Sequence, residues 1–268
     1  MEKEAARQGE SYVFEGMTSI SAVINGGRRK IEKVLIDKEK ADARRRETAF
    51  LKRSTEKLGF EIEYTDDETI NSLCTGHSHG GIIAVCSAWQ PDDLCNMPAS
   101  LLDRTAADGD TRKNGGFFVM IDGIEDPYNF GYALRTLYAA GADAVILTPR
   151  NWMSAAGVVC RASAGASELL PMFVSEPEDA CRFFKSHGVR CVAAGIRNSV
   201  SAFDADLSLP LFLIVGGEKR GISAKTLELA DSIVRLDYGR EFRASLSAAS
   251  AASVIAYEIF RQNRKNQD

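Results

Sequence analysis

Ile121-Asp122-Gly123-Ile124-Glu125-Asp126-Pro127-Tyr128-Asn129-Phe130-Gly131 decides how the second half of this chain reads. The stretch closes an apolar run that begins at Phe117 and opens a helical pattern with Arg135 six residues after Asn129. Proline suits a first helical turn, where the amide it lacks has no partner anyway, and Asp or Asn caps exposed amides. Taken locally, Asn129 reads equally as a helix cap or a functional amide, and Arg135 as a surface charge. Two later segments repeat the arrangement. Leu211–Val215 runs into Gly216-Gly217-Glu218-Lys219-Arg220-Gly221, then Ile222-Ser223, with Ser223 a candidate cap. Ser232–Leu236 runs into Asp237-Tyr238-Gly239 and on to Ser245-Leu246-Ser247-Ala248-Ala249-Ser250. In open α/β sheets ligands bind at the carboxyl ends of strands. Three such ends in one domain predict one composite site.

Around these segments the pattern alternates between strand and helix. Strands are expected at 117–122, 144–147, 168–174, 190–194, 211–215 and 232–236. Helices are expected near 129–140, 155–162, 177–187, 224–230 and 244–263. Such alternation predicts a parallel sheet with helices on both faces. The first 90 residues read as a smaller α/β unit after a polar tail at 1–10. A helix starts within 19–25, strands are expected at 34–36, 60–64 and 81–86, and helices at 41–58, ended by Gly59, and 69–74. Residues 91–115 read as a linker, with a possible helix over 92–107.

Composition narrows the function classes. There is no apolar run long enough to span a membrane and no signal-peptide core at the N-terminus, so a cytoplasmic protein is expected. The six cysteines show no Cys-x-x-Cys spacing, which fits reduced, mostly buried thiols. His77-Ser78-His79 lacks the further ligands a metal shell needs, so no metal is expected and the tripeptide reads as a turn before a buried strand. No Gly-x-Gly-x-x-Gly or Gly-Lys-Ser/Thr loop follows a strand, and no histidine sits in a Ser-His-Asp context. The net charge of −4 speaks mildly against nucleic acid. Its distribution speaks the other way: between Arg28 and Lys57 there are twelve Lys/Arg against six Asp/Glu. That run is either a solvated helix face or a surface for RNA.

The three segments resemble the SpoU/TrmH family of the SPOUT superfamily, RNA 2′-O-ribose methyltransferases. The first matches D-x-x-x-D-P-x-N-x-G followed by Arg, and the second an apolar run with G-x-E-x-x-G. The third departs: Leu236-Asp237-Tyr238-Gly239 is about one residue longer before Ser245-Leu246 than the family's loop, and Ser247 stands where Asn is usual. His79-Gly80-Gly81-Ile82-Ile83-Ala84 is similar to a stretch of the L30e-like substrate-binding domain that often precedes the catalytic domain. The resemblance implies residues 1–90 as that RNA-binding domain, 91–115 as linker and 116–268 as a SPOUT domain with a deep C-terminal trefoil knot. It implies S-adenosylmethionine as cofactor, rRNA or tRNA as substrate and a homodimer. It places Asn129, Arg135, Glu218, Ser245 and Ser247 among the catalytic residues, and Gly216, Leu236 and Leu246 at the cofactor. Arg135 is read as a phosphate clamp, because its planar fork offers paired donors. The alternative, motivated by Ser247, is a non-catalytic RNA-binding protein that retains the knotted fold.

Overall fold

The computed structural model describes residues 11–76, 79–103, 115–149, 155–217, 221–242 and 244–264. In chain order the first elements are β1 (Ser11–Glu15), α1 (Gly16–Gly26), β2 (Ile31–Asp37), α2 (Arg45–Leu58), β3 (Glu61–Thr65), α3 (Asp67–Leu73) and β4 (Ile82–Ser87). Then come β5 (Asp92–Asp93), a 3-10 turn at Leu94–Asn96, α4 (Ala99–Leu102), β6 (Phe117–Asp122), α5 (Pro127–Ala139) and β7 (Ala144–Leu147). They are followed by α6 (Ala156–Ala162), α7 (Ala166–Leu169), β8 (Met172–Val174), α8 (Pro177–Ser186), β9 (Arg190–Ala194) and β10 (Val200–Ser201). The chain closes with β11 (Leu211–Gly216), α9 (Ala224–Leu229), β12 (Ser232–Arg235) and α10 (Ala248–Asn263).

These elements form two units. Met1–Gln90 groups with Asn151–Leu169, and Pro91–Arg150 with Leu170–Asp268. The first unit has a four-stranded sheet ordered β1-β4-β2-β3, antiparallel except for the β2–β3 pair. One face buries Phe14, Val34, Ile36, Ile82 and Ala84 with Ile20 and Val23 of α1 and Leu51 of α2. Ala156 and Cys160 of α6 complete that cluster, so a segment distant in sequence supplies part of its core. Glu168 of α7 is bound there too, by Arg29 at 2.7 Å, both side chains almost fully buried.

The second unit carries eight strands ordered β10-β12-β9-β11-β6-β7-β8-β5, with every pair parallel. β6, β7, β9 and β11 sit inside the sheet and are apolar on both faces, as strands covered on both sides must be. Phe118, Phe184 and Phe212 stack at the centre, with ring centroids 4.7 and 4.3 Å apart from Phe184.

Most pattern-based elements are present, β1, β5 and β10 appear where no strand was expected, and the clearest shifts among the rest concern four segments. Helix α2 begins at Arg45 rather than near residue 41. The Asp37 carboxylate accepts the Glu39 N–H (2.9 Å) and its carbonyl the Lys40 N–H (3.2 Å), which holds a turn ahead of the helix. The strand expected from 168 starts only at Met172, because Ala166–Leu169 is helical and delivers Glu168 to Arg29. The long helix over 92–107 is replaced, among the described residues, by an edge strand, a 3-10 turn and one short helix after Pro98. The last helix is regular from Ala248, not 244. The tail at 1–10 and His77-Ser78 lie outside the described residues.

Candidate active site

Because the larger sheet is parallel throughout, the carboxyl ends of β12, β9, β11 and β6 share one edge. Asp122 and Gly216, the last residues of β6 and β11, are direct register partners. The loops that leave them run backbone against backbone. A Cβ on Gly217 would lie 2.6 Å from the Asp122 and Gly123 carbonyl oxygens, and one on Gly216 would lie 2.5 Å from the Gly221 carbonyl carbon. Gly123 has φ +85°, where L side chains are strained. The Gly221 N–H returns to the Gly217 carbonyl at 3.0 Å and closes the second loop. Gly216 is therefore required by the packing of its own loop, whatever else binds there. Glu218, inside that loop, lies outside the described residues.

Asp126, not Asn129, caps α5: its Oδ1 accepts the Asn129 N–H at 2.7 Å. That leaves the half-buried Asn129 amide without a side-chain partner among the described residues. Arg135 is exposed two turns along. Six residues of helix rotate the side-chain direction by about 240° and advance about 9 Å. Arg135 thus leaves α5 on a different side from Asn129, in line with the exposed Tyr128 and Tyr132. The structure does not bring the two onto one face.

The third loop, 236–247, joins β12 to α10. Leu236 is half-buried, and Ser245 and Leu246 are exposed. The Tyr238 hydroxyl accepts the Leu246 N–H at 3.2 Å, and the Tyr238 and Phe242 rings meet edge-on at 5.8 Å. Ser247 is the N-cap of α10: its Oγ accepts the Ser250 N–H at 3.1 Å. Sequence reading had missed that task, although a Ser directly before an Ala-rich helical run is a capping signal. Ser223 caps α9 as the sequence suggested, accepting the Thr226 N–H at 3.1 Å and donating to Glu178 at 2.9 Å.

No group of three or more potential metal ligands occurs among the described residues. All six thiols are free, and burial pushes those of Cys86 and Cys160 up to about 12, so neither is a nucleophile at neutral pH. No described helix is long and apolar enough to cross a membrane.

The family model described as the SpoU rRNA Methylase family matches residues 116–257, more than half of the chain. The chain belongs to the SpoU rRNA methylase family. A second model, described as RNA 2′-O ribose methyltransferase substrate binding, matches residues 13–91. Among similar proteins, a 23S rRNA (guanosine-2′-O-)-methyltransferase RlmB of Burkholderia sp. is 28% identical over 94% of this chain and 97% of its own. A protein named as a TrmH family tRNA/rRNA methyltransferase, YacO of Bacillus subtilis, is 26% identical over 77% of this chain and 79% of its own. The fold is shared with an AdoMet-bound rRNA methyltransferase from Sinorhizobium meliloti, with TM-score 0.75 and 21% identity over 97% of this chain and 89% of that one. It is shared equally with the SpoU methyltransferase AviRb of Streptomyces viridochromogenes, with TM-score 0.73 and 21% identity over 98% of this chain and 92% of that one. In this SpoU-family chain, the loops after β6, β11 and β12 all lie within the residues that the methylase model matches.

Proposed function

We propose that this protein transfers a methyl group from S-adenosylmethionine to a ribose 2′-hydroxyl of RNA, with ribosomal RNA the favoured substrate over tRNA. The observation that carries this reading is the register pairing of Asp122 with Gly216. It raises the Asn129 helix and the glycine loop from adjacent strands, at the edge where open α/β sheets bind ligands.

The residues at that edge fit the cofactor. Ile196, two residues past β9, is 81% exposed and Leu246, two residues before α10, is 37% exposed, so both apolar side chains are open to a ligand. Gly216, Leu236 and Leu246 would hold the adenosyl part through such backbone and aliphatic contacts. When bound, the sulfonium supplies an electrophilic methyl group that needs no metal. The protein's work is then alignment. Asn129 offers both a donor and an acceptor to the ribose. Arg135 clamps a neighbouring phosphate and lowers the electrostatic cost of oxygen attack; arginine keeps its proton in proteins, so the 2′-hydroxyl proton leaves to water or another neighbour. Ser245 contributes an exposed hydroxyl, Ser247 fixes the start of α10, and Glu218 is kept by resemblance among the catalytic residues.

The chain is also proposed to act as a homodimer in the cytoplasm. A shallow hollow of about 480 Å³ on the second unit is lined by Thr136, Phe203, Ser253, Val254 and Tyr257. Phe203 and Tyr257 are each about half exposed, an apolar patch that a second copy would cover. A site shared between copies also suits Arg135, which leaves α5 on the side away from Asn129. The trefoil knot is proposed on the anchoring of α10: Gln262 and Asn263 bond the backbone of Ala205, Leu207 and Leu209. Residues 1–90 are assigned to RNA binding, with 151–169 completing their core.

The test is a map of 2′-O-methylation in total RNA from cells with and without the gene, with the purified protein restoring the lost mark in vitro. Loss of one site in ribosomal RNA is expected. An unchanged map, together with cofactor binding by the purified protein, would favour the non-catalytic reading.

A further inference from the structure

The first unit holds a cavity of about 330 Å³ that the methyl-transfer site does not use. It lies where β1 turns into α1, and its walls include Arg44, Arg161, His79, Gly80 and Thr18. Its polar groups are arranged by the surrounding chain. Arg161 is held by the buried Glu15 carboxylate. Glu15 also accepts the Thr75 N–H (2.9 Å), the Thr75 hydroxyl (3.0 Å) and the Gly76 N–H (3.2 Å). Burial works against its charge, but these bonds and Arg161 outweigh it and bring its pKa below the ordinary value. Gly76 has no room for a side chain, since a Cβ would lie 1.8 Å from Arg161 Nη1. Arg44, also in the lining, is tied to Glu47 at 3.1 Å, and a Cβ on Gly80 would lie 2.7 Å from its Nη2. His79 is 5% exposed and fixed from both sides: Nδ1 accepts the Gly81 N–H at 3.1 Å, which leaves Nε2 facing Asn71 Oδ1 at 3.0 Å.

Two guanidinium groups thus face one hollow, and the single carboxylate among the lining residues is already bound by three donors and Arg161. The first turn of α1 adds to this. Glu15 stands at the N-cap position but makes no capping bond, and no acidic residue lies in that turn. The positive end of the helix opens into the same space.

We propose that this cavity is a subsite for a backbone phosphate of the RNA substrate, clamped between Arg44 and Arg161 at the start of α1. The proposal rests on the reading of this chain as an RNA methyltransferase and places one RNA contact in the first unit, apart from the reacting ribose. It commits to a phosphodiester because paired arginines and backbone amides suit a tetrahedral oxyanion, and no Phe, Tyr or Trp stands among the described lining residues for a base to stack on.

The discriminating variant is Thr18→Asp in the full chain. Thr18 is exposed in the first turn of α1. A carboxylate there favours the helix yet puts a negative charge in the cavity. Arg44→Gln removes one clamp at a half-exposed position. Binding is read by fluorescence anisotropy of fluorescein-labelled, fragmented ribosomal RNA over a salt series, with thermal melting as the fold control. The expected result is about a tenfold loss of RNA affinity in each variant, with Tm kept or raised in Thr18→Asp, and a salt slope shallower by about one in Arg44→Gln. Wild-type affinity in both variants would overturn the subsite while leaving the methyltransferase reading intact. No RNA binding by the wild-type chain would overturn both. Millimolar inorganic phosphate that raises Tm in the wild type only, with RNA affinity equal in all three proteins, would assign the cavity to a free anion and overturn the RNA contact.

Discussion

Replacing Glu168 by Ala should unfold the first unit far more readily than any surface change, although Glu168 lies 139 residues from its partner. Arg29 meets it in a fork, Nε to Oε2 at 2.7 Å and Nη2 to Oε1 at 3.2 Å. The side chains are 2% and 3% exposed. Arg29 also donates to the Ser87 carbonyl at 3.2 Å and lies 4.9 Å from the Phe14 ring centre. Without the carboxylate, a guanidinium that cannot shed its proton stays buried against an aromatic ring. Breaking such a pair costs about 3–5 kcal/mol. With a urea slope of about 2 kcal/mol/M, the midpoint should fall by roughly 1.5–2.5 M. Trp89, 5.9 Å from the Arg29 guanidinium, reports this unit directly once the other tryptophan, at 152, is replaced by Phe. The control is Arg29→Met with Glu168→Leu, which removes both charges and should recover stability to within about 1 kcal/mol of the parent, or exceed it. A loss below about 1 kcal/mol in Glu168→Ala, or a double variant as weak as the single one, would refute the reasoning.

Other expectations follow from the same geometry. Arg135→Ala should abolish methylation while S-adenosylhomocysteine affinity by calorimetry stays near wild type, and Arg135→Lys should also be poor because a point charge lacks the two-pronged contact. Ser247→Ala should cost about 1 kcal/mol through loss of the α10 cap, whereas Ser247→Asn should keep it; paired melting curves check this. Glu15→Gln should be less stable than wild type at pH 7. Because the folded-state pKa of Glu15 is lowered, its contribution is present above the unfolded value of about 4.3 and is lost as pH falls through the folded one, so the two melting curves should converge at acid pH. Tyr257→Arg should convert a dimer to a monomer in light scattering, and a wild-type monomer at micromolar concentration would count against the proposed interface.

What sequence reading reached and what it missed divide along physical lines. Strands β6, β7, β9 and β11 are apolar on both faces and helices α5 and α8 begin with proline, so period and caps locate them within a residue or two. Strands β5 and β10 have two residues each, too few to show any period. The placement of 155–169 with the first unit was illegible for another reason. Glu168 sits in an apolar stretch that reads as a strand, and nothing local reveals that its carboxylate answers Arg29. At the candidate site, glycines and polar residues at strand ends stand out in the sequence because open sheets concentrate ligand groups there. The direction of Arg135 relative to Asn129 follows from their six-residue spacing once both are known to lie in α5, which Asp126 settles by taking the cap. The closure of the glycine loop on itself likewise needs the Gly216–Gly221 approach to be seen.

The serine at 247 bears most directly on whether this chain is an enzyme or only a binder. An Asn and a Ser at an N-cap do the same structural work, because each offers an oxygen to the amide three residues on. The observed bond from the Ser250 N–H to Ser247 Oγ, at 3.1 Å, therefore preserves the start of α10 and with it the anchoring of loop 236–247. The exchange removes the reach and the paired donor and acceptor of an amide, but not the geometry of the loop. Asn129 retains such an amide after β6, with β9 and β11 between that strand and β12, and is freed from capping by Asp126. The methyltransferase reading assigns work to all three residues, with Asn129 and Arg135 toward the RNA and Ser247 at the start of α10.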